Sequence, residues 1–170
     1  MTNPLAILQN TPPWVFVLGI VLATFGVQAL KPRGIAVARL LIVPLVFMAW
    51  GLISLVIRAS DTPLLAVVWL ACGAAGLAIG WCVTTLHGVL IDRAARRVSV
   101  PGSAVPLVRN LSIFVVKYAL GAAMAMAPAW HVNIAFCDVG VSGLTTGYFA
   151  AWLLRLALLY RAASPVLTAS

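Results

Sequence analysis

LLAVVWLACGAAGLAIGWCVTTL, residues 64–86, carries no charged side chain from one end to the other. A helix needs about 20 mainly apolar residues to cross a hydrocarbon core of about 30 Å, and inside that core every backbone N–H and C=O must be bonded within the segment. The stretch meets the first condition by length and the second by forming a helix, so it reads as a transmembrane span. The rest of the chain agrees. Of its 170 residues, 64% are hydrophobic and 8% are charged, against about 25% charged in a soluble domain. A mean hydropathy of +1.11 places it among polytopic membrane proteins.

Working outward, four more stretches qualify. The first runs from Trp14 to Leu30, with Thr11 as N-cap, Pro12 and Pro13 in the first turn and Trp14 at the interface. The second covers Arg39–Ile57, with Pro44 near its start, and the third follows the turn signal SDTP. The fourth runs from Pro106 to Ala127 and stops at Pro128; the fifth covers Gly140–Tyr160. The opening MTNPLAILQNTPPWVF has no basic leader and no small-residue cleavage site, so the first apolar run is expected to stay in the mature protein. The expectation is an all-α membrane protein of five transmembrane helices, forming one integral membrane domain over residues 1–170.

Charge then sets orientation. Lys31, Arg33, Arg39, Arg93, Arg96, Arg97, Arg109, Arg155 and Arg161 fall on or near one side of this layout, Arg58 falls on the other, and Lys117 lies inside the fourth span. The excess of Lys and Arg on cytoplasmic loops puts the N-terminus outside and the C-terminus in the cytoplasm. The net charge of +8 is thus first an orientation signal. The same cations attract anionic lipids at the cytoplasmic face. Nucleic acid is not expected as a partner, because no soluble domain and no aromatic interleaving accompany the charge.

Between the third and fourth spans lies VLIDRAARRVSVPGS, residues 89–103. VLID and RVSV are short and β-branched, RAAR separates them, and Pro101 and Gly102 close the second run, so the segment reads as a cytoplasmic β-hairpin. The rival is a continuation of the third helix through DRAARR, since Ala and Arg are good helix formers. The alternation of Val98 and Val100 with polar neighbours favours the hairpin. An isolated hairpin is marginal, so it must dock on helix ends, headgroups or a partner.

Two internal patterns bear on packing. RLLIVPLVFMAWG from Arg39 and RNLSIFVVKYALG from Arg109 align without gaps at Arg39/Arg109, Leu41/Leu111, Val46/Val116, Ala49/Ala119 and Gly51/Gly121. A duplicated helical hairpin of parallel orientation would produce this echo, and so would chance in a composition rich in Leu, Val, Ala and Gly. Helix contacts in lipid favour small residues. Gly73, Gly76 and Gly80 on the third span, and Gly140, Gly143 and Gly147 on the fifth, form stripes suited to close packing of these two helices. A homodimer could use the same stripe.

Lys117 is the costliest residue. Counting from Pro106 it lies about 16 Å along the fourth helix, near the middle of the hydrocarbon. Asp61, Asp92 and Asp138 all fall in expected loops or at their edges, so no carboxylate is expected at that depth. The open outcomes are a neutral amine, a snorkelling stem, a hydrogen bond to Gln28, Thr84, Thr85 or Tyr118, or a bound anion or lipid phosphate held by Lys117 with Arg39, Arg109 and Tyr118. His87, at the inner end of the third span, is expected as an interfacial hydrogen-bonder.

No catalytic, metal-binding or cofactor-binding motif is legible: H-E-x-x-H, G-x-S-x-G, P-loop and G-x-G-x-x-G patterns are all missing. Cys72 and Cys82 lie about 15 Å apart on one helix and cannot pair. Cys137, in an expected loop near His131 and Asp138, is a structural thiol or, less simply, a reactive or metal-binding one.

The segment DRAARRVSVPGSAVPLVRNLSIFVVKYALG, residues 92–121, resembles the signature region of a family of small bacterial inner-membrane proteins, a domain of unknown function. The matching positions are Pro101, Gly102, Ser103, Pro106, Leu107, Phe114, Lys117, Tyr118 and Gly121. Through the Arg-led helix starts it is also distantly similar to the CcdC family linked to cytochrome c biogenesis. The resemblance implies the topology and no agreed activity. The expected function is an accessory or scaffold protein, possessing packed helices and an exposed hairpin that meets a membrane-protein partner. The alternative is a small-solute or anion transporter with a cavity lined by Lys117, and a redox-linked membrane enzyme using Cys137 and His131 is the third class.

Overall fold

The computed structural model describes residues 11–59, 62–84, 86, 88–93 and 95–162. The elements in chain order are α1 (Pro13–Gln28), β1 (Arg33–Ala36), α2 (Val37–Ala59), α3 (Pro63–Val83), β2 (Leu90–Asp92), β3 (Arg97–Val100), α4 (Val105–Met126), a 3-10 turn (Pro128–Trp130) and α5 (His131–Ala162). Proline opens three of the helices: Pro13 and Pro63 stand at the first position and Pro106 at the second. There the missing N–H would have lacked a helical partner anyway. Pro44 falls inside α2, where it cannot donate to the carbonyl of Leu40 one turn back.

Among the described residues four helices, α2 to α5, are long and apolar enough to cross a membrane. α1 is not: its 16 residues span about 24 Å. The sequence places the end of this segment at Leu30, but the helix stops at Gln28 and the chain turns at Ala29 and Leu30. Pro32 accounts for the stop, since it denies helical geometry to Lys31 and offers no N–H. α5 departs in the other direction. It begins at His131, not Gly140, and so takes Cys137 and Asp138 out of the expected loop and into the helix. Asn133 and Asp138 interrupt the apolar run and hide the early turns from a hydropathy reading, although neither breaks a helix.

The chain divides into two compact units, one of residues 11–32 with 102–138 and one of 33–101 with 139–162. In the first, α1 packs against α4. In the second, α2 packs against α3, and α3 lies against the later turns of α5.

The second unit also holds a three-stranded antiparallel sheet in the order β1-β3-β2. The expected hairpin is its β2–β3 half, with Ile91 opposite Val98. The Asp92 Oδ1 accepts the Ala95 N–H at 2.9 Å, a side-chain turn that Asp forms readily, and Arg96 closes the bend at φ +51°. β1 is an addition that the sequence does not announce: Arg33, Gly34, Ile35 and Ala36 pair with Val100, Ser99, Val98 and Arg97. The Val37 N–H then donates to the Arg96 carbonyl at 3.1 Å, joining the start of α2 to the hairpin bend. Ile35, Val98 and Ile91 line up across the three strands and are all buried, so one face of the sheet belongs to the core. A hairpin alone is marginal; a third strand and a buried face remove that difficulty.

Candidate functional site

In the first unit the position of α4 is fixed from its own start. Gly102 lies against the Leu30 carbonyl so closely that a Cβ would stand 3.0 Å from Leu30 C and 3.1 Å from Pro32 Cδ. The next residue, Ser103, donates its N–H to the Ala29 carbonyl at 2.8 Å. Its Oγ accepts the N–H of Val105, the first residue of α4, at 3.2 Å. The PGS element is therefore a splice between the end of α1 and the start of α4. Further along, Gly26 meets Leu107 and Gly19 meets the Phe114 ring. Both steps are seven residues and run in opposite directions, so the helices are antiparallel. At the far end the Tyr118 and Thr11 hydroxyls share a hydrogen bond of 2.7 Å.

The register set by these contacts carries Lys117 into the unit's interior, about 18 Å along α4 from Val105. There its Nζ donates to the Oδ1 of Asp138 on α5. Both side chains are 7% exposed. This corrects the expectation that no carboxylate reaches Lys117 and that Asp138 sits in a loop: α5 starts nine residues earlier than hydropathy indicates and delivers Asp138 on its third turn. Opposite charges at contact in a poorly solvating interior bind strongly, yet each has lost its hydration, so the pair stands only while both members are present. Chemically the site can hold charge and fix two helices.

Arg109, eight residues before Lys117 on α4, donates from Nε to the Oδ1 of the buried Asn110 at 3.2 Å. Arg39 belongs to the other unit and is exposed in the first turn of α2. Gln28 is exposed at the end of α1. Asp61, Thr85, His87 and the side chain of Arg58 lie outside the described residues. Cys137 and His131 are both exposed on α5, six residues apart, which separates them by about 9 Å along the axis and puts them on different faces. Among the described residues no group of three His, Cys, Asp or Glu side chains could hold a metal ion.

In the second unit glycines bring α3 and α5 to backbone contact. Gly147 lies on the Gly73 carbonyl, Gly143 on the Trp69 carbonyl and Gly76 on the Leu144 carbonyl, each with no room for a Cβ. A Cβ on Gly80 would meet the Tyr148 carbonyl at 2.8 Å and Ala151 Cβ at 2.9 Å. Gly140 is looser, with Cys72 Sγ at 3.4 Å, and Gly73 itself would meet only the Gly143 carbonyl, at 3.6 Å. The pairings 69/143, 73/147 and 80/151 ascend together, so α3 and α5 run parallel. α2 joins through Gly51, which lies on Thr146 Oγ1 and the Ser142 carbonyl, and through Phe47, stacked on Phe149 at 5.6 Å between centroids. Ser142, Thr145 and Thr146 are buried. The two threonine hydroxyls are satisfied within α5, donating to Val141 and Ser142 carbonyls at 2.7 and 2.8 Å.

Two arginines that the sequence offers only as orientation signals have definite partners in this unit. Arg155 on α5 donates from one guanidinium nitrogen to the Trp81 carbonyl at 2.7 Å and to the Thr84 carbonyl. Its guanidinium also lies 5.4 Å from the centre of the Trp81 ring. It thus caps the last turn of α3, where carbonyls have no helical donor. Arg93, in the hairpin bend, lies 5.3 Å over the Tyr160 ring. The parallel alignment of α3 and α5 is what brings a late α5 residue to the end of α3, and no local motif signals it.

No curated protein and no solved structure matches the chain, and nothing supports the similarity to the CcdC family drawn from the Arg-led helix starts. A family of unknown function, DUF6622, matches over residues 2–167. That span takes in the PGS splice, the Lys117–Asp138 pair and the glycine contacts of α3 and α5, and the chain belongs to the DUF6622 family.

Proposed function

We propose that this is an integral protein of the bacterial inner membrane that crosses the bilayer five times and serves as an accessory or scaffold protein. Four long apolar helices suggest the membrane location. α1 makes the fifth crossing in this reading, its 24 Å (about 1.5 Å per residue) accommodated by local thinning and by Lys31 reaching to the headgroups. The N-terminus faces the periplasm and the C-terminus the cytoplasm, as the distribution of Lys and Arg favours. The echo between the Arg39 and Arg109 helix starts is read as a duplicated hairpin on the sequence alone.

One observation supports the scaffold over a carrier of anions. Lys117, the residue that would have to meet an anion in mid-membrane, has its ammonium bonded to Asp138 with both side chains 7% exposed. An incoming anion would have to displace a carboxylate already in contact and leave it buried without its counter-ion. Anion flux through proteoliposomes tests the reading, with chloride and inorganic phosphate as probes. The scaffold reading expects flux no faster than through protein-free vesicles, for the wild type and for Asp138→Asn alike. Flux above that background that Lys117→Leu abolishes would replace it with transport.

A further inference from the structure

We propose that the outward face of the β1-β3-β2 sheet is a seat for phospholipid headgroups of net negative charge. The proposal rests on the membrane reading above and adds to it a defined surface. The sheet has two unlike faces. Ile35, Val98 and Ile91 are 8%, 0% and 8% exposed and belong to the core. On the other face Gly34, Ser99 and Leu90 align across the strands, as do Ala36, Arg97 and Asp92. Gly34, Ser99 and Ala36 are exposed and small, and they make a shallow floor between Leu90, 71% exposed, and Arg97.

The charge around this floor is one-sided. Asp92 is the one acidic residue among the described residues of the unit, and its Oδ1 is occupied by the Ala95 N–H. Arg97 on β3, Arg96 in the bend and Arg39 in the first turn of α2, which follows β1 directly, are exposed. Arg93 and Arg155 are engaged elsewhere, on Tyr160 and on the end of α3. Arg96 is held in place by its backbone, whose N–H donates to the Arg93 carbonyl and whose carbonyl accepts from Val37.

The level of the sheet selects the occupant. β1 leads straight into α2, and β2 follows the end of α3, both long enough to cross a membrane. The sheet therefore stands where an apolar helix would leave the hydrocarbon, which is the depth of phosphate groups. An exposed leucine beside arginines fits that boundary, where an apolar tip can enter the acyl region while cations meet phosphate. An acidic soluble partner would match the arginines and leave Leu90 unused.

The test is lipid retention by the full chain in nanodiscs of phosphatidylcholine containing a minority of phosphatidylglycerol, read by native mass spectrometry. The wild type should retain phosphatidylglycerol in excess of its share, and the excess should vanish at high salt. Arg96→Gln and Arg97→Gln should each lower the excess roughly fivefold, and Leu90→Ser should weaken retention of both lipids without changing the salt dependence. Retention in proportion to lipid composition by the wild type would overturn the proposal, as would an excess that the double variant R96Q/R97Q keeps. Should that variant fail to fold, the salt titration on the wild type still decides. Lipid retention and anion flux are separate readouts, so the failure of one reading leaves the other visible.

Discussion

Lys117 on α4 and Asp138 on α5 close an ion pair in the interior of the first unit, each side chain 7% exposed. Removing one partner leaves the other buried charge without its counter-ion, which costs about 3–5 kcal/mol, whereas replacing both with apolar groups of similar volume is often neutral or stabilising. Lys117→Leu and Asp138→Leu should therefore each lower the melting temperature sharply in detergent or nanodiscs. The double variant should recover most of the loss. Thermal unfolding of the four proteins checks this, and additive losses would show that the pair is not coupled.

How far this pair was legible follows from where its members lie. Lys117 stands out in any apolar run as the one cation at mid-span. Asp138 is 21 residues away, beyond Pro128 and in the polar early turns of α5, where hydropathy suggests a loop; only the helix start at His131 reveals it as a partner. The sheet shows the same division. The alternation at Val98 and Val100 signals a strand, but the four residues of β1 contain a glycine and pair with residues more than sixty positions away, so no local pattern reports them. Glycine spacing on α3 and α5 is visible in the sequence. The carbonyls those glycines meet, and the lone Gly51 that lies on α5, depend on register and are not.

The contact between Gly147 and the Gly73 carbonyl leaves no space for a side chain. Gly147→Leu should separate α3 from α5 and cost about 1–3 kcal/mol or more, the usual penalty of overpacking. Gly121 on α4 is the control, because a Cβ there meets nothing within 4 Å. Gly121→Ala should be neutral or stabilise by up to about 1 kcal/mol through helix propensity. Melting temperatures of the two variants should move in opposite directions or differ widely.

Arg155 should matter more for its donors than for its charge. Its guanidinium reaches two carbonyls at the end of α3 and also lies over the Trp81 ring. A lysine keeps the charge but loses the planar fork that serves several acceptors at once. Arg155→Lys should thus recover little of what Arg155→Ala loses, a loss of about 1.5–3 kcal/mol for hydrogen bonds to a charged group. Hydrogen exchange should quicken at the last turn of α3 in both variants. Rescue by lysine would return Arg155 to a role in orientation alone.

The splice at Gly102 and Ser103 predicts a defect confined to the first unit. Ser103→Ala removes the acceptor for the Val105 N–H but keeps the backbone bond to Ala29, so it should cost about 1 kcal/mol. Gly102→Ala forces a Cβ against the Leu30 carbonyl and should cost more. Exchange should rise at Val105 and over the first turn of α4 in both variants, and at the amide of residue 103 in Gly102→Ala, with the β1-β3-β2 sheet unchanged.

The alternation of helix directions makes the orientation testable at one position. α1 and α4 are antiparallel and α3 and α5 parallel, as the pairings 26/107 with 19/114 and 73/147 with 80/151 require. In a five-crossing chain the hairpin bend then lies on the same side as the C-terminus. Ala95 is exposed in that bend and its side chain has no role in the sheet, so Ala95→Cys in a background lacking Cys72, Cys82 and Cys137 reports the side directly. A membrane-impermeant maleimide should leave it unlabelled in intact cells stripped of their outer membrane and label it in inverted vesicles. The opposite pattern would turn the protein over, place its arginines in the periplasm, and remove the cytoplasmic leaflet as the surface that the sheet meets.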